Sequence, residues 1–200
     1  LDNDLVGPDS TYIHANMLSR VTFTEIAQRG GHISASPEVE MQMFGLAMPL
    51  EDMRAAGVSI TLSSDLPASQ RSDLLTQAKI GLQTQRMFDV QAGDTSLAPT
   101  ASVLPYVTMN AARSLLQADE IGSLTPGKQA DVVLVRGDSP STLGVADPVA
   151  AVLAYATLAD IDTVIVAGKI RKRHGRLLDV ALGELHSRVL NAQRELLAGL

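Results

Sequence analysis

Two hundred residues are enough for one domain, or one and a half, with a sizeable core. Hydrophobic residues make up 46% and aromatics only 3%, so the chain is globular rather than disordered and its core must be aliphatic. A formal charge of -6 argues against nucleic acid, and the lack of cysteine excludes disulfides and thiolate metal sites, as suits a reducing cytoplasm.

Leu1 stands where a Met would open a chain, and Asp2-Asn3-Asp4 reads like the middle of a loop, so sequence is expected before it. Thr11 to Ala15 is a short strand. Thr22 and Glu25 have capping-box spacing for the helix that follows, with Gly30 as its stop. His32 to Ser36 is a second strand, ended where Pro37 removes a donor. A helix from about Leu50 to Ala56 ends at Gly57. The apolar run Val58 to Leu62 continues through Ser63 and Ser64 to Asp65 as a third strand. A longer helix is expected over about 72–88, because Leu75, Ala78 and Leu82 recur at helical spacing.

Repeated strand-helix pairs imply a parallel sheet, and ligands of such sheets sit at the strand C-termini. His14, Ser36 and Asp65 lie at or near that end of successive strands. Three polar side chains are thus expected at one mouth.

After Asp94 the character changes. Leu104 to Leu116 reads as helical. Short strands are expected at Gly122 to Leu124, Asp131 to Val135, Thr163 to Ala167 and Ile170 to Arg173, with Ala167-Gly168-Lys169 as a hairpin turn. The basic run Lys169 to Arg176 falls on that hairpin and reads as a solvated strand face. From Val180 to Leu197, Leu182, Leu185, Val189, Ala192 and Leu196 form one apolar seam of barely two heptads. Such a short seam is expected to pack back onto its own domain.

Asp65 is the strongest chemical candidate. A carboxylate at a strand mouth can ligate a divalent metal or take a proton from water, but Asp is equally suited to capping the next helix. His14 can hydrogen-bond a substrate atom or a water. His32, His174 and His186 are weaker: one begins a strand, one is on the basic hairpin, one lies off the apolar seam. Ser36, Glu38 and Glu40 follow the second strand in a segment that reads as a loop with two acids. The chain has no Gly-x-Ser-x-Gly, Walker A or Gly-x-Gly-x-x-Gly sequence.

Several phrases are more particular. Tyr12-Ile13-His14-Ala15-Asn16, Ser34-Ala35-Ser36-Pro37-Glu38-Val39-Glu40-Met41 and the strand to Asp65 occur in order. They are followed by Thr108-Met109-Asn110-Ala111-Ala112-Arg113, Ile121-Gly122-Ser123-Leu124-Thr125-Pro126-Gly127-Lys128-Gln129-Ala130-Asp131 and Asp162 to Ile170. In these the chain resembles the C-terminal half of the amidohydrolase superfamily, in its cytosine-deaminase-like and chlorohydrolase-like branch.

The resemblance implies an α/β fold: residues 1–118 as the last three strand-helix units (strands six to eight) of a TIM (β/α)8 barrel. It implies the C-terminal part of a small β-sandwich over 119–178, and 179–200 as a C-terminal amphipathic helix. The family hydrolyses C–N, and sometimes C–Cl, bonds of ring compounds with one zinc or iron. By resemblance Asp65 would ligate that metal and accept a proton from the attacking water. His14 would hydrogen-bond the water or the departing group, and Ser36 and Glu40 would line the substrate pocket.

The family's His-x-His pair, and its ligand His and catalytic Glu of the fifth strand, have no counterpart here. Ser63-Ser64 also replaces the Gly-Thr often found before the metal-site Asp. The implied substrate is an aminated heterocycle, and the implied partner is an N-terminal half of the same enzyme or a second copy of the chain. Alone, the chain is expected to be inactive and to dimerise, swap or pair through its open strand edges. The competing expectations are a non-catalytic interaction or assembly module with the same fold, and a self-standing binding domain.

Overall fold

The computed structural model describes residues 5–66 and 70–199. The opening Asp2-Asn3-Asp4, read as a loop, lies outside them.

Three strands, β1 (Thr11–Ile13), β2 (His32–Ala35) and β3 (Ser59–Leu62), form a parallel sheet in the order β1-β2-β3. Thr11 pairs with His32, and His32 with Ser59, so the C-terminal ends of the strands are level. The crossovers between them carry the helices, as parallel pairing requires.

The first crossover is α1 (Arg20–Gln28). Its N-cap is Ser19, whose hydroxyl accepts from the Thr22 N–H at 3.2 Å. This corrects the expected capping box at Thr22 and Glu25: the helix starts three residues earlier, so Thr22 already lies within it. Gly30, at φ 80°, ends it as expected. Phe23 and Ile26 of α1 are buried, one turn apart, against the sheet.

The second crossover is not a plain loop. Pro37 opens a helical turn, α2 (Pro37–Val39), which widens into a π-helical turn over Glu40–Phe44 and stops at Gly45. α3 (Leu50–Ala55) then packs Leu50 and Met53 into the core. After β3, α4 (Leu74–Gln91) begins at Asp73, which caps it by accepting from the Thr76 N–H at 2.8 Å. α4 buries Ala78 and Leu82. The core is aliphatic apart from Phe23 and Tyr106, and each fully buried large side chain in it contributes roughly 1.5–3 kcal/mol.

The stretch 100–116 is helical in pieces: two short 3₁₀ turns, then α5 (Met109–Ser114). No strand forms at Gly122 to Leu124. Gly122 has φ 87°, and a Cβ there would stand 2.7 Å from the Ala112 Cβ, so the chain turns tightly under α5. The Lys128 ammonium donates to the carbonyl oxygens of Ala118 and of Ile121, the latter at 3.2 Å. Asp131 then accepts from the Ala167 N–H at 2.7 Å. The phrase from Ile121 to Asp131 is thus a staple between α5 and the second sheet.

That sheet is antiparallel, in the order β4-β5-β6-β7: β4 (Val132–Val135), β5 (Ile161–Val166), β6 (Lys169–Arg173) and β7 (Arg176–Leu177). Ala167 and Gly168 make the expected hairpin turn, and β6 is largely exposed, as a solvated basic strand should be. Between β4 and β5 lie a short helical turn, α6 (Pro148–Ala150), and a π-helical turn that seats Leu153 in the main core.

The tail forms α7 (Leu182–Ala198), but every described residue in it is exposed. The expected packing of its seam onto its own domain is therefore wrong. A two-heptad seam needs a complementary apolar face, and none of the described residues covers it here.

Candidate active site

The level strand ends put three short segments at one mouth. β1 ends at Ile13 because His14 and Ala15 both take left-handed backbone, at φ 67° and 62°. For residues with a Cβ this costs roughly 1–2 kcal/mol each. The pair of left-handed residues turns the chain back, so that the side chains of His14 and Asn16 both face Glu40.

Glu40 is wholly buried. Its Oε1 accepts from the Ser36 N–H at 2.8 Å and lies 3.2 Å from His14 Nδ1. Its Oε2 accepts from the Asn16 side-chain amide at 3.0 Å. Burying a carboxylate is costly unless it is hydrogen-bonded, and here both oxygens are engaged. The π-helical turn starting at Glu40 is what swings this side chain beneath the mouth.

Across from His14 stands Asp65, three residues beyond β3. Its Oδ2 is 3.9 Å from His14 Nε2, and its side chain is 41% exposed. Asp65 also has left-handed backbone, φ 53°, steadied by its own N–H donating to Ser63 Oγ at 3.1 Å. Left-handed non-glycine residues concentrate at functional sites, where the surroundings hold them. Asp65 does not cap α4; Asp73 does. Of the two roles left open by spacing, the cap of α4 is thus taken by Asp73.

A depression of about 460 Å³ opens beside His14, walled by Asn16, Met17, Leu18, Phe44 and Leu46. Phe44 meets the imidazole edge-on, with ring centroids 5.2 Å apart. The walls are almost wholly apolar, which suits a flat, uncharged ring.

The expected site residues fall in three groups. His14 and Asp65 meet at the mouth. Glu40 and Ser36 lie directly beneath it, closed off from solvent, with the Ser36 hydroxyl unpartnered. Glu38 turns away: its carboxylate accepts from the Gln77 side chain of α4 at 3.2 Å and from the Arg71 N–H at 3.3 Å. The two-acid loop expected from sequence is thus a structural turn in which only Glu40 faces the mouth.

His32 is buried with Nε2 3.1 Å from the Pro8 carbonyl oxygen, at the opposite strand end. Asn16 and Phe44 carry no sequence signal of their own, since their roles depend on the left-handed turn and the π-helical turn.

Among the described residues no group of three or more His, Cys, Asp or Glu side chains could hold a metal ion. Asp65 offers a metal one partly exposed carboxylate, where a closed site needs three or four ligands. These residues alone do not make a metal site.

A 5-methylthioadenosine/S-adenosylhomocysteine deaminase of Desulforudis audaxviator is 33% identical over 84% of this chain and 38% of its own length. An 8-oxoguanine deaminase of Pseudomonas aeruginosa is 31% identical over 97% of this chain and 42% of its own. The chain thus spans about two fifths of the curated relatives it matches. The solved structure of an adenosine deaminase from Xanthomonas campestris, with bound zinc, superposes at a TM-score of 0.88. That likeness, at 23% identity, covers 96% of this chain and 43% of the other and concerns the fold. The model of the Amidohydrolase family matches residues 5–171, running through β1, the Glu40 turn, Asp65 and the stapled turn alike. With that match, the chain belongs to the amidohydrolase family.

Proposed function

We propose that this chain is the C-terminal part of a metal-dependent amidohydrolase that hydrolyses a carbon-nitrogen bond, deaminating an aminated heterocycle. The observation that carries the reading is the facing pair His14 Nε2 and Asp65 Oδ2, 3.9 Å apart at the C-terminal mouth of a parallel sheet. The deaminases among its relatives support the reaction class. In this reading residues 1–118 are the last three strand-helix units of a (β/α)8 barrel, residues 119–178 belong to a flanking β-sandwich, and the C-terminal segment carries the exposed amphipathic helix α7.

Asp65 would contribute one ligand to a divalent metal, zinc or iron, which would supply Lewis-acid activation of the water, and the other ligands would come from outside this chain. The chemistry assigned here is what the chain's own residues do. The Asp65 carboxylate takes a proton from the water that attacks the amino-bearing carbon and passes it to the amino group, which leaves as ammonia; His14 holds that water or the departing ammonia, and Ser36 and Glu40 lie beneath the pocket without lining it. The apolar wall at Phe44 and Leu46 takes the heterocycle's face.

The test mixes the chain with the N-terminal segment of the Desulforudis deaminase that it does not cover, adds zinc or iron, and measures ammonia release from aminated purines and triazines. Activity that appears on mixing and vanishes in Asp65→Ala is expected. An assembled complex that binds no metal through Asp65 would sink the reading and favour the non-catalytic assembly module, to which the wholly exposed α7 is suited.

A further inference from the structure

We infer that Glu40 is a positioning residue that fixes the proton of His14 on Nδ1 and so makes Nε2 an acceptor facing Asp65; this rests on the hydrolase reading for its purpose, but not for its test. Glu40 is wholly buried and touches no solvent-facing surface of the depression, so it acts through His14 rather than on a ligand.

Two of the partners of Glu40 can only donate: the Ser36 N–H at 2.8 Å and the Asn16 amide nitrogen at 3.0 Å. A carboxylate that collects donors in this way is an acceptor, so the ring nitrogen 3.2 Å from Oε1 must carry the hydrogen. In a neutral imidazole one nitrogen donates and the other accepts, and the bond made by one sets the role of the other. Nε2 therefore keeps its lone pair.

Nε2 and the Asp65 Oδ2 are then two acceptors facing each other across 3.9 Å, too far for a direct hydrogen bond. A group with two N–H or O–H hydrogens satisfies both: a water molecule, or the amino group of a substrate. The opposite tautomer would aim an N–H at Asp65 and leave the site one acceptor short. Phe44 packs edge-on to the ring and restricts its rotation. Asn16 ties down the far oxygen of Glu40, so the carboxylate cannot swing away.

The tautomer of the neutral ring is read directly from the imidazole nitrogen resonances of the ¹⁵N-labelled chain. Wild-type chain is expected to show His14 protonated on Nδ1 and bare on Nε2. Glu40→Gln keeps an oxygen in place of Oε1 and is expected to retain that pattern. Glu40→Leu removes the acceptor, and the proton is expected to shift to Nε2, the form the free side chain prefers.

A proton on Nε2 in the wild-type chain overturns the inference, as does a folded Glu40→Leu chain with the proton still on Nδ1. Should Glu40→Leu fail to fold, the wild-type and Glu40→Gln spectra still decide. No metal, substrate or second segment is needed. A chain with the expected tautomer that gives no activity on reconstitution would count against the hydrolase reading alone.

Discussion

Asn110 donates its side-chain amide to the backbone carbonyl of Ile60 at 3.0 Å, joining α5 to the open edge of β3. β3 bonds to β2 through alternate residues, Ser63 N–H to Ala35 O at 2.8 Å among them, so the Ile60 carbonyl points away from the sheet. An edge strand has a row of such groups to satisfy. Asn110 meets one of them with a side chain, and Arg113 in turn donates to the Asn110 oxygen at 2.9 Å. The Asn110 to Arg113 phrase is therefore a clamp on the strand that leads to Asp65.

Asn110→Ala should destabilise the chain by about 1–2 kcal/mol, the effect of leaving a partly buried carbonyl without its donor. For a chain of this size that is a fall in Tm of roughly 2–8 °C. Amide exchange should quicken in β3 more than in β4 or β5. Equal quickening in both sheets would show that the bond has no special hold on β3.

Gly122→Ala should be more damaging, although it adds a single methyl group. The new Cβ would meet the Ala112 Cβ at 2.7 Å and the Met109 sulfur at 3.1 Å, on a backbone at φ 87°. Overpacking and left-handed strain together predict a loss of about 2–4 kcal/mol by denaturant titration. The double variant with Ala112→Gly should relieve the 2.7 Å clash but neither the Met109 contact nor the strain. Full recovery would mean that strain contributes nothing at this turn.

These two positions also show what the sequence can and cannot reveal. The three parallel strands and the Ala167-Gly168 hairpin were legible because alternation, apolar runs and turn residues act locally. Gly122 to Leu124 looked like a strand because its composition permits one; the turn is imposed by α5 above it and by Lys128 beneath. Glu40 was legible as one of two acids in an expected loop, and singled out from Glu38 only through resemblance. Its burial depends on a π-helical turn that no local periodicity marks, and on partners 24 and 26 residues away in the chain. The seam of α7 was legible as amphipathic, but its spacing says nothing about what covers it.

Asp160 should set part of the acid limb of stability. The Ser139 hydroxyl first, and then the Thr157 N–H at 2.7 Å, hold its carboxyl below the ordinary carboxylate range. A group whose pKa is lower in the folded state contributes fully above its unfolded value, about 3.9, and loses that contribution as pH falls through the folded one. Asp160→Asn should therefore be less stable at neutral pH, and should lose less on acidification from roughly pH 5 downward. Stability curves of the two proteins that stay parallel through that window would refute this.

The two aspartates near β3 make opposite predictions. Asp73 caps α4 through the Thr76 N–H at 2.8 Å and the Thr76 hydroxyl at 2.9 Å, so Asp73→Ala should lose about 1 kcal/mol. Asp65 is partly exposed, and its carboxylate makes no closer polar contact than the 3.9 Å approach to His14 among the bonds described. Asp65→Asn should therefore leave stability within about 0.5 kcal/mol, the more so because Asn tolerates left-handed backbone. In the reconstituted assembly the effects should reverse: Asp65→Asn should abolish ammonia release, and Asp73→Ala should leave turnover at temperatures where the assembly stays folded. A large stability loss in Asp65→Asn would return Asp65 to the role of a structural residue, and would take from the site the one exposed carboxylate that faces His14 among the described residues.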